Sequence, residues 1–305
     1  MDFITVCYIN DLPQMKIQAR SLDKFLKKFP IGRIIVIVNG YFEICQSYFE
    51  QEIRSCYGSL ADRVELIDGN QLLPNLILSE SYFNQMRLKI LIANQLTSEY
   101  VCILDSKNFL ITEWEITDVI DDQGRMRATF DDSAHPDWQE ASVESFKIFN
   151  LDESKHLKLA PHTPFLVQTD ILKTVANVPN LIFTWKTKPL VEFLMVTAAI
   201  IERDGTLDKT YWSDRHRWTI SVWPGELGTY DVLDVESIVK TLLNEQVKVL
   251  SLGLHRKCFL LARPHIIHSF KVIWERLGLA TFEESDKIID QMKRYNFAFV
   301  GKRLK

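Results

Sequence analysis

The chain opens with two alternating kinds of apolar pattern. Phe3 to Ile9, Arg33 to Val38 and Val64 to Ile67 are short, nearly uninterrupted apolar runs. Such runs read as strands covered on both faces, because a strand with one face in water would alternate with polar residues. Between them, Pro13 to Phe29 places Met15, Ile17, Leu22, Phe25, Leu26 and Phe29 mostly at three- and four-residue steps, the period of one helix face. Pro30-Ile31-Gly32 stops that helix, and a second helix is predicted over about Tyr41 to Tyr57. Strands alternating with helices predict right-handed βαβ units and a parallel sheet.

A further helix is expected from Tyr82 to Leu96 with Ser81 as its N-cap, followed by an apolar strand, Tyr100 to Leu104, that ends in Asp105. The apolar segment Phe109 to Ile111 follows at once, so Asp105 to Asn108 fall on a tight connection. Beyond it the alternation weakens. Strands are predicted at Arg125 to Phe130, Phe165 to Val167 and Val247 to Leu252. Helices are predicted from Pro136 to about Phe149, from near Thr169, from Leu190 to Glu202 with Pro189 in its first turn and Gly205 as its stop, and twice between Pro264 and Tyr295 around Gly278. The expected fold is α/β, a mixed and mostly parallel sheet flanked by helices. Residues 1–260 would form one domain, with 261–305 a helical C-terminal extension packed on it.

Composition narrows the chemistry by exclusion. A net charge of -4 from 36 basic and 40 acidic residues gives no broad attraction to nucleic acid, so any bound phosphate must meet a local cationic cluster. The five cysteines are scattered, without paired spacing, and most read as small core residues in a reducing cytoplasm. The first residues carry no basic segment ahead of an apolar stretch, and no apolar run approaches the roughly 20 residues that cross a bilayer. A cytoplasmic protein is expected, at most peripheral to the inner face of the membrane. The glycine-rich phosphate loops, the nucleophile elbow and the His-Glu-x-x-His zinc motif are absent from the sequence, which disfavours nucleoside triphosphatases, dinucleotide oxidoreductases, serine hydrolases and zinc peptidases.

Ligands of open α/β sheets collect at the carboxyl ends of the strands, so Asp105 stands where chemistry is expected. Lys107 is unusual two residues later, because a site for a divalent metal would carry a second carboxylate there. On the preceding helix, Gln85 and Lys89 are four apart and share a face, which suits either a diphosphate and sugar hydroxyls or plain solvent. Glu192 is a carboxylate among apolar neighbours, either a general base or a structural partner. Asp131, Asp132 and His135 form a rival cluster that would bind an acceptor, serve as the base, or lie in a solvated turn. His255, Arg256 and Lys257 follow a late strand and would clamp phosphates or merely colour the surface. Asp214 to Trp218, after Tyr211-Trp212, suits a flap that stacks on sugar.

The run Tyr82-Phe83-Asn84-Gln85-Met86-Arg87-Leu88-Lys89, followed by the strand ending Leu104-Asp105-Ser106-Lys107, resembles GT-A-type glycosyltransferases, in particular a large bacterial family of uncharacterised glycosyltransferase-like proteins. Weaker echoes lie at Thr163-Pro164-Phe165, Glu192 and Leu254-His255-Arg256. The resemblance covers roughly residues 1–260 and implies a GT-A-like fold. It also implies transfer of a sugar from a nucleotide-sugar donor to a glycan or glycolipid acceptor, as in bacterial surface-polysaccharide assembly. The donor base would lie near Tyr8, Asn10 and Asp11, and the Asp105 loop would face the diphosphate and ribose. In metal-dependent members an Asp-x-Asp pair and a later His bind Mg²⁺ or Mn²⁺. Here Lys107 replaces the second Asp, leaving three readings: an ammonium that offsets phosphate charge, a metal held by Asp105 and His255, or a simple ion pair of Lys107 with Asp105 or Glu113. Two other functions stay open, a non-catalytic nucleotide-sugar-binding protein and a sugar nucleotidyltransferase. The latter is disfavoured because Asn10-Asp11-Leu12-Pro13 lacks a glycine-rich basic loop.

Overall fold

A computed structural model of the protein describes residues 1–74, 81–131, 138–160, 162–181, 184–185, 189–213, 218–222, 249–256, 258–261 and 264–300. The central sheet has five strands in the order β3-β2-β1-β4-β9. Four of them, β1 (Asp2–Cys7), β2 (Ile34–Val38), β3 (Val64–Asp68) and β4 (Tyr100–Asp105), run parallel, while β9 (Phe165–Gln168) is antiparallel to β4. The inner strands β1 and β2 are buried at every position, which is why their sequences are continuously apolar. The fold is therefore the mixed, mostly parallel α/β sheet that the hydrophobic pattern predicts.

Helix α1 (Leu12–Phe25) follows β1 through a short turn at Ile9–Asp11, and α2 (Phe42–Tyr48) follows β2. The continuous helix expected to Tyr57 does not form. After Tyr48 the chain widens into a π turn at Phe49–Ile53 and tightens into 3-10 turns at Arg54–Arg63, broken at Gly58 with φ +49°. The Asp23 carboxylate of α1 accepts hydrogen bonds there from the Ser59 amide and hydroxyl, and a Cβ on Gly58 would collide with it. Helix α3 (Ser81–Leu91) precedes β4 and packs on β1.

A second sheet lies beside the carboxyl end of β4. Its order is β11-β12-β5, where β5 (Asn108–Leu110) runs antiparallel to β12 (Ser251–Leu254), and β11 (Thr219–Val222) runs parallel to β12. The late strand predicted from Val247 to Leu252 begins outside the described residues, and its described part runs from Ser251 to Leu254. Minor pairs join β6 (Met126–Ala128) with β10 (Tyr211–Ser213) and β7 (Phe130–Asp131) with β8 (Lys158–Leu159). Helices α4 (Gln139–Ile148) and α5 (Thr169–Ala176) flank α6 (Glu192–Asp204), which Gly205 ends in a left-handed conformation at φ +77°. Helices α7 (Pro264–Arg276) and α8 (Phe282–Val300) close the chain. Arg20 of α1 donates to the Leu279 carbonyl at 2.7 Å and to Glu284 of α8 at 2.9 Å, so this last helix is tied to the first. No helix among the described residues is long and apolar enough to cross a membrane.

Gly253 lets β12 lie close between β11 and β5 of the second sheet. A Cβ there would stand 2.7 Å from the Ser221 hydroxyl and 3.0 Å from the Asn108 amide nitrogen. Gly253→Ala is expected to lower stability by about 1–3 kcal/mol through overpacking, read as the shift of a urea unfolding midpoint.

Candidate functional site

In the register between β1 and β4, Val6 lies opposite Asp105, so the β4 turn and the segment after β1 share one edge. That edge is where a parallel sheet offers unpaired strand ends to a ligand. The turn is braced from several sides. Gln18 of α1 donates to the carbonyls of Asp105 at 2.8 Å and Asn108 at 3.1 Å, and its own oxygen accepts from Thr5. Asn108 accepts from the Asp105 amide at 2.7 Å and donates to the Thr163 carbonyl at 3.0 Å. The Leu254 amide donates to the Lys107 carbonyl at 3.1 Å.

The Asp105 carboxylate is the centre of the site. Its Oδ1 accepts from Gln85 Nε2 at 3.1 Å and Lys89 Nζ at 2.8 Å, and its Oδ2 accepts from Lys107 Nζ at 2.5 Å and Thr163 Oγ1 at 3.1 Å. Lys89 Nζ also donates to Glu192 Oε1 at 3.0 Å and lies 5.0 Å from the centre of the Phe193 ring. The four side chains form one ionic chain, Lys107–Asp105–Lys89–Glu192, in which Lys89 is 3% exposed and Glu192 4%. Burial works against the charge on Asp105, but Lys107 and Lys89 outweigh it and hold the carboxyl well below its usual range. Burial likewise opposes the Lys89 ammonium, and Asp105 and Glu192 outweigh that too, raising its pKa.

The shared face of Gln85 and Lys89 is therefore turned inward onto Asp105, and the solvated alternative does not apply. Glu192 is buried among apolar neighbours but is not alone, because Lys89 pairs with it. Lys107 is ion-paired with Asp105 and not with Glu113, which faces Lys28 at 3.7 Å.

At the end of β1, Asp11 accepts from the Tyr8 amide at 3.1 Å, and the Tyr8 and Tyr41 rings lie 6.3 Å apart. Arg256 donates to the other Asp11 oxygen, so it bridges the end of β12 to the end of β1. The Asn10 Oδ1 and Gln14 Oε1 atoms are buried without a hydrogen-bond partner. His255 is half-buried, and its carbonyl accepts the Cys258 amide. Asp132, His135, Lys257 and the Asp214 to Arg217 segment lie outside the described residues; Asp131 is described only as part of β7.

A divalent ion does not fit this donor set. Both oxygens of Asp105 already accept two hydrogen bonds each, and two ammonium groups stand within 3 Å of them, which is repulsive to a cation. Among the described residues no group of three or more His, Cys, Asp or Glu side chains is arranged to hold a metal.

Sequence reasoning missed Thr163, Gln18 and Asn108 as the frame of the turn. Gln14 and Gln18, four apart on the side of α1 that also carries Met15, Ile17 and Leu22, were the available signal, since a polar pair on a buried face must satisfy something across the interface.

Fold and site define a mixed α/β protein with an ionic cluster at the carboxyl edge of its parallel sheet. The chain belongs to a family of unknown function, DUF6492, whose model matches residues 4–223. No curated protein matches it. Among solved structures it is similar to the galactosyltransferase LgtC in complex with donor and acceptor sugar analogs, at 13% identity and TM-score 0.49, covering 91% of this chain and 100% of that one. It is also similar to the glycosyltransferase GlyE of Streptococcus pneumoniae, at 14% identity and TM-score 0.48, covering 97% of this chain and 63% of that one. Mouse xyloside xylosyltransferase 1 aligns at 9% identity and TM-score 0.41 over 83% of this chain and 97% of that one.

Proposed function

We propose that the protein is a glycosyltransferase of GT-A-like architecture that moves a hexosyl or related sugar from a nucleotide-sugar donor to a hydroxyl of a glycan or glycolipid acceptor. One observation carries this reading. Of the residues on which the sequence resemblance rests, Gln85, Lys89 and Lys107 converge on the carboxylate of the fourth, Asp105, at the edge where β1 ends. In this reading Tyr8, Asn10 and Asp11 meet the nucleoside, and the orphaned Asn10 oxygen takes a hydrogen bond from it. Asp105 faces the diphosphate and sugar, and Lys107 and Arg256 meet negative charge. Glu192, with Oε1 engaged by Lys89, offers its other oxygen to the acceptor hydroxyl as the base. The proposed setting is bacterial surface-polysaccharide or glycoconjugate assembly on the cytoplasmic side of the membrane, which the five free cysteines suit.

A second reading, a non-catalytic nucleotide-sugar-binding protein, is favoured by one feature: Asp105 is saturated by four donors. Calorimetry with uridine, guanosine and cytidine diphosphate sugars, run beside an assay for nucleotide release with an acceptor panel, separates the two. Binding with acceptor-dependent release is the expected result. Binding without turnover supports the second reading, and a failure of every donor to bind removes both.

A further inference from the structure

We infer that Lys107 stands in for the divalent cation, so that this site binds the diphosphate of its ligand with an ammonium and without metal. The ligand class rests on the glycosyltransferase reading; the replacement of the cation rests on the geometry.

A metal at Asp105 would have to displace a donor from each oxygen it used, and both oxygens serve to compensate buried cations. Oδ1 receives Lys89, and Oδ2 receives Lys107. Taking either away strands an ammonium in a site where unpaired charge is strongly disfavoured.

The two lysines are not equivalent. Lys89 is held between two carboxylates and over the Phe193 ring, and its helix is packed on β1, so it is a fixed charge. Lys107 sits on the two-residue turn between β4 and β5 with its backbone pinned by Leu254, and only its four-carbon stem needs to turn for the ammonium to leave Asp105. If it does, Asp105 keeps Lys89, Gln85 and Thr163. The site can thus hand one positive charge to an incoming diphosphate while Asp105 keeps three hydrogen-bond donors, one of them the Lys89 ammonium. An ammonium in this role supplies directed hydrogen bonds and one charge, where a divalent ion would supply two charges and demand several oxygen ligands.

The test measures binding of uridine, guanosine and cytidine diphosphates and of inorganic pyrophosphate by calorimetry, in EDTA and in Mn²⁺, for the unaltered chain and for Lys107→Gln, Lys107→Arg and Lys107→Asp. Thermal unfolding of each variant accompanies the titrations. The unaltered chain is expected to bind equally in EDTA and Mn²⁺. Lys107→Gln should lose roughly tenfold or more, the equivalent of one charge-assisted hydrogen bond, and Mn²⁺ should not restore it. Lys107→Arg should retain most of the affinity. Lys107→Asp, which rebuilds a carboxylate pair, should bind weakly in EDTA and regain affinity in Mn²⁺. Loss of binding by the unaltered chain in EDTA overturns the inference, as does equal affinity of the folded Gln and Arg variants. If binding is metal-free but no sugar is transferred, the glycosyltransferase reading fails and this inference stands. If transfer occurs but needs Mn²⁺, the reverse holds, and if no probe binds, both fall.

Discussion

Asp105→Asn is expected to abolish detectable sugar transfer, a loss of at least about 100-fold, and at the same time to lower stability. The first effect follows from position, because Asp105 is the carboxylate on which Gln85, Lys89, Lys107 and Thr163 all converge. Asparagine keeps the shape but turns an N–H toward one of the ammonium groups, so a donor would face a donor. The side chains of Lys107 and Lys89 are 7% and 4% exposed, and removing one of two anions from the chain leaves a net buried positive charge. Breaking a buried pair in this way costs about 3–5 kcal/mol. A reading from sequence alone would expect Asp105→Ala to silence the enzyme and spare the fold. The structure revises that expectation, so stability has to be measured beside activity. A folded Asp105→Asn variant with full transfer would exclude Asp105 from the donor site.

Lys89→Met should lower stability by a comparable amount, about 3–5 kcal/mol, because it leaves Glu192 without its cation and Asp105 with one fewer. The double variant Lys89→Met with Glu192→Gln should recover part of that loss, since the buried charge is removed together with its partner. The pH dependence gives a second check. The folded pKa of Asp105 lies below its unfolded value near about 3.9, so its stabilising contribution is complete above that value and drains away as the pH falls further. The folded pKa of Lys89 lies above its unfolded value near about 10.4, so its contribution is complete below that and is lost as the pH rises through the folded value. The thermal midpoint of the unaltered chain should therefore owe the most to this cluster between about pH 5 and 10. The gap between it and Lys89→Met should narrow as the pH drops below about 4, because the unfolded Asp105 carboxyl takes up a proton there while the folded one, held by Lys89 and Lys107, does not. A constant gap from pH 7 to 3 would refute the electrostatic account.

The sequence reached some of this and stopped at identifiable points. Continuous apolar runs reported β1, β2 and β4, because a strand buried on both faces has no choice but to be apolar along its length. The four-residue spacing of Gln85 and Lys89 correctly put them on one side of α3. It did not say which way that side faces. The helix predicted to Tyr57 changes pitch at Phe49, and Gly58 just beyond it packs on Asp23, a residue 35 positions earlier that no local pattern can register. Glu192 could be recognised as a carboxylate in apolar company, yet its partner lies 103 residues away in sequence.

What the sequence determined by itself is the alternation of strands and helices, the placing of Asp105 at a strand end, and the unusual lysine two residues beyond. These are local facts, fixed by hydrophobic period and by chemistry at the end of an apolar run. Only the tertiary structure decided that Lys107, Asp105, Lys89 and Glu192 form one compensated chain, because ion pairing depends on distance in space. Once two carboxylates and two buried ammonium groups are brought within hydrogen-bond reach, each charge is compensated by its neighbours in the chain.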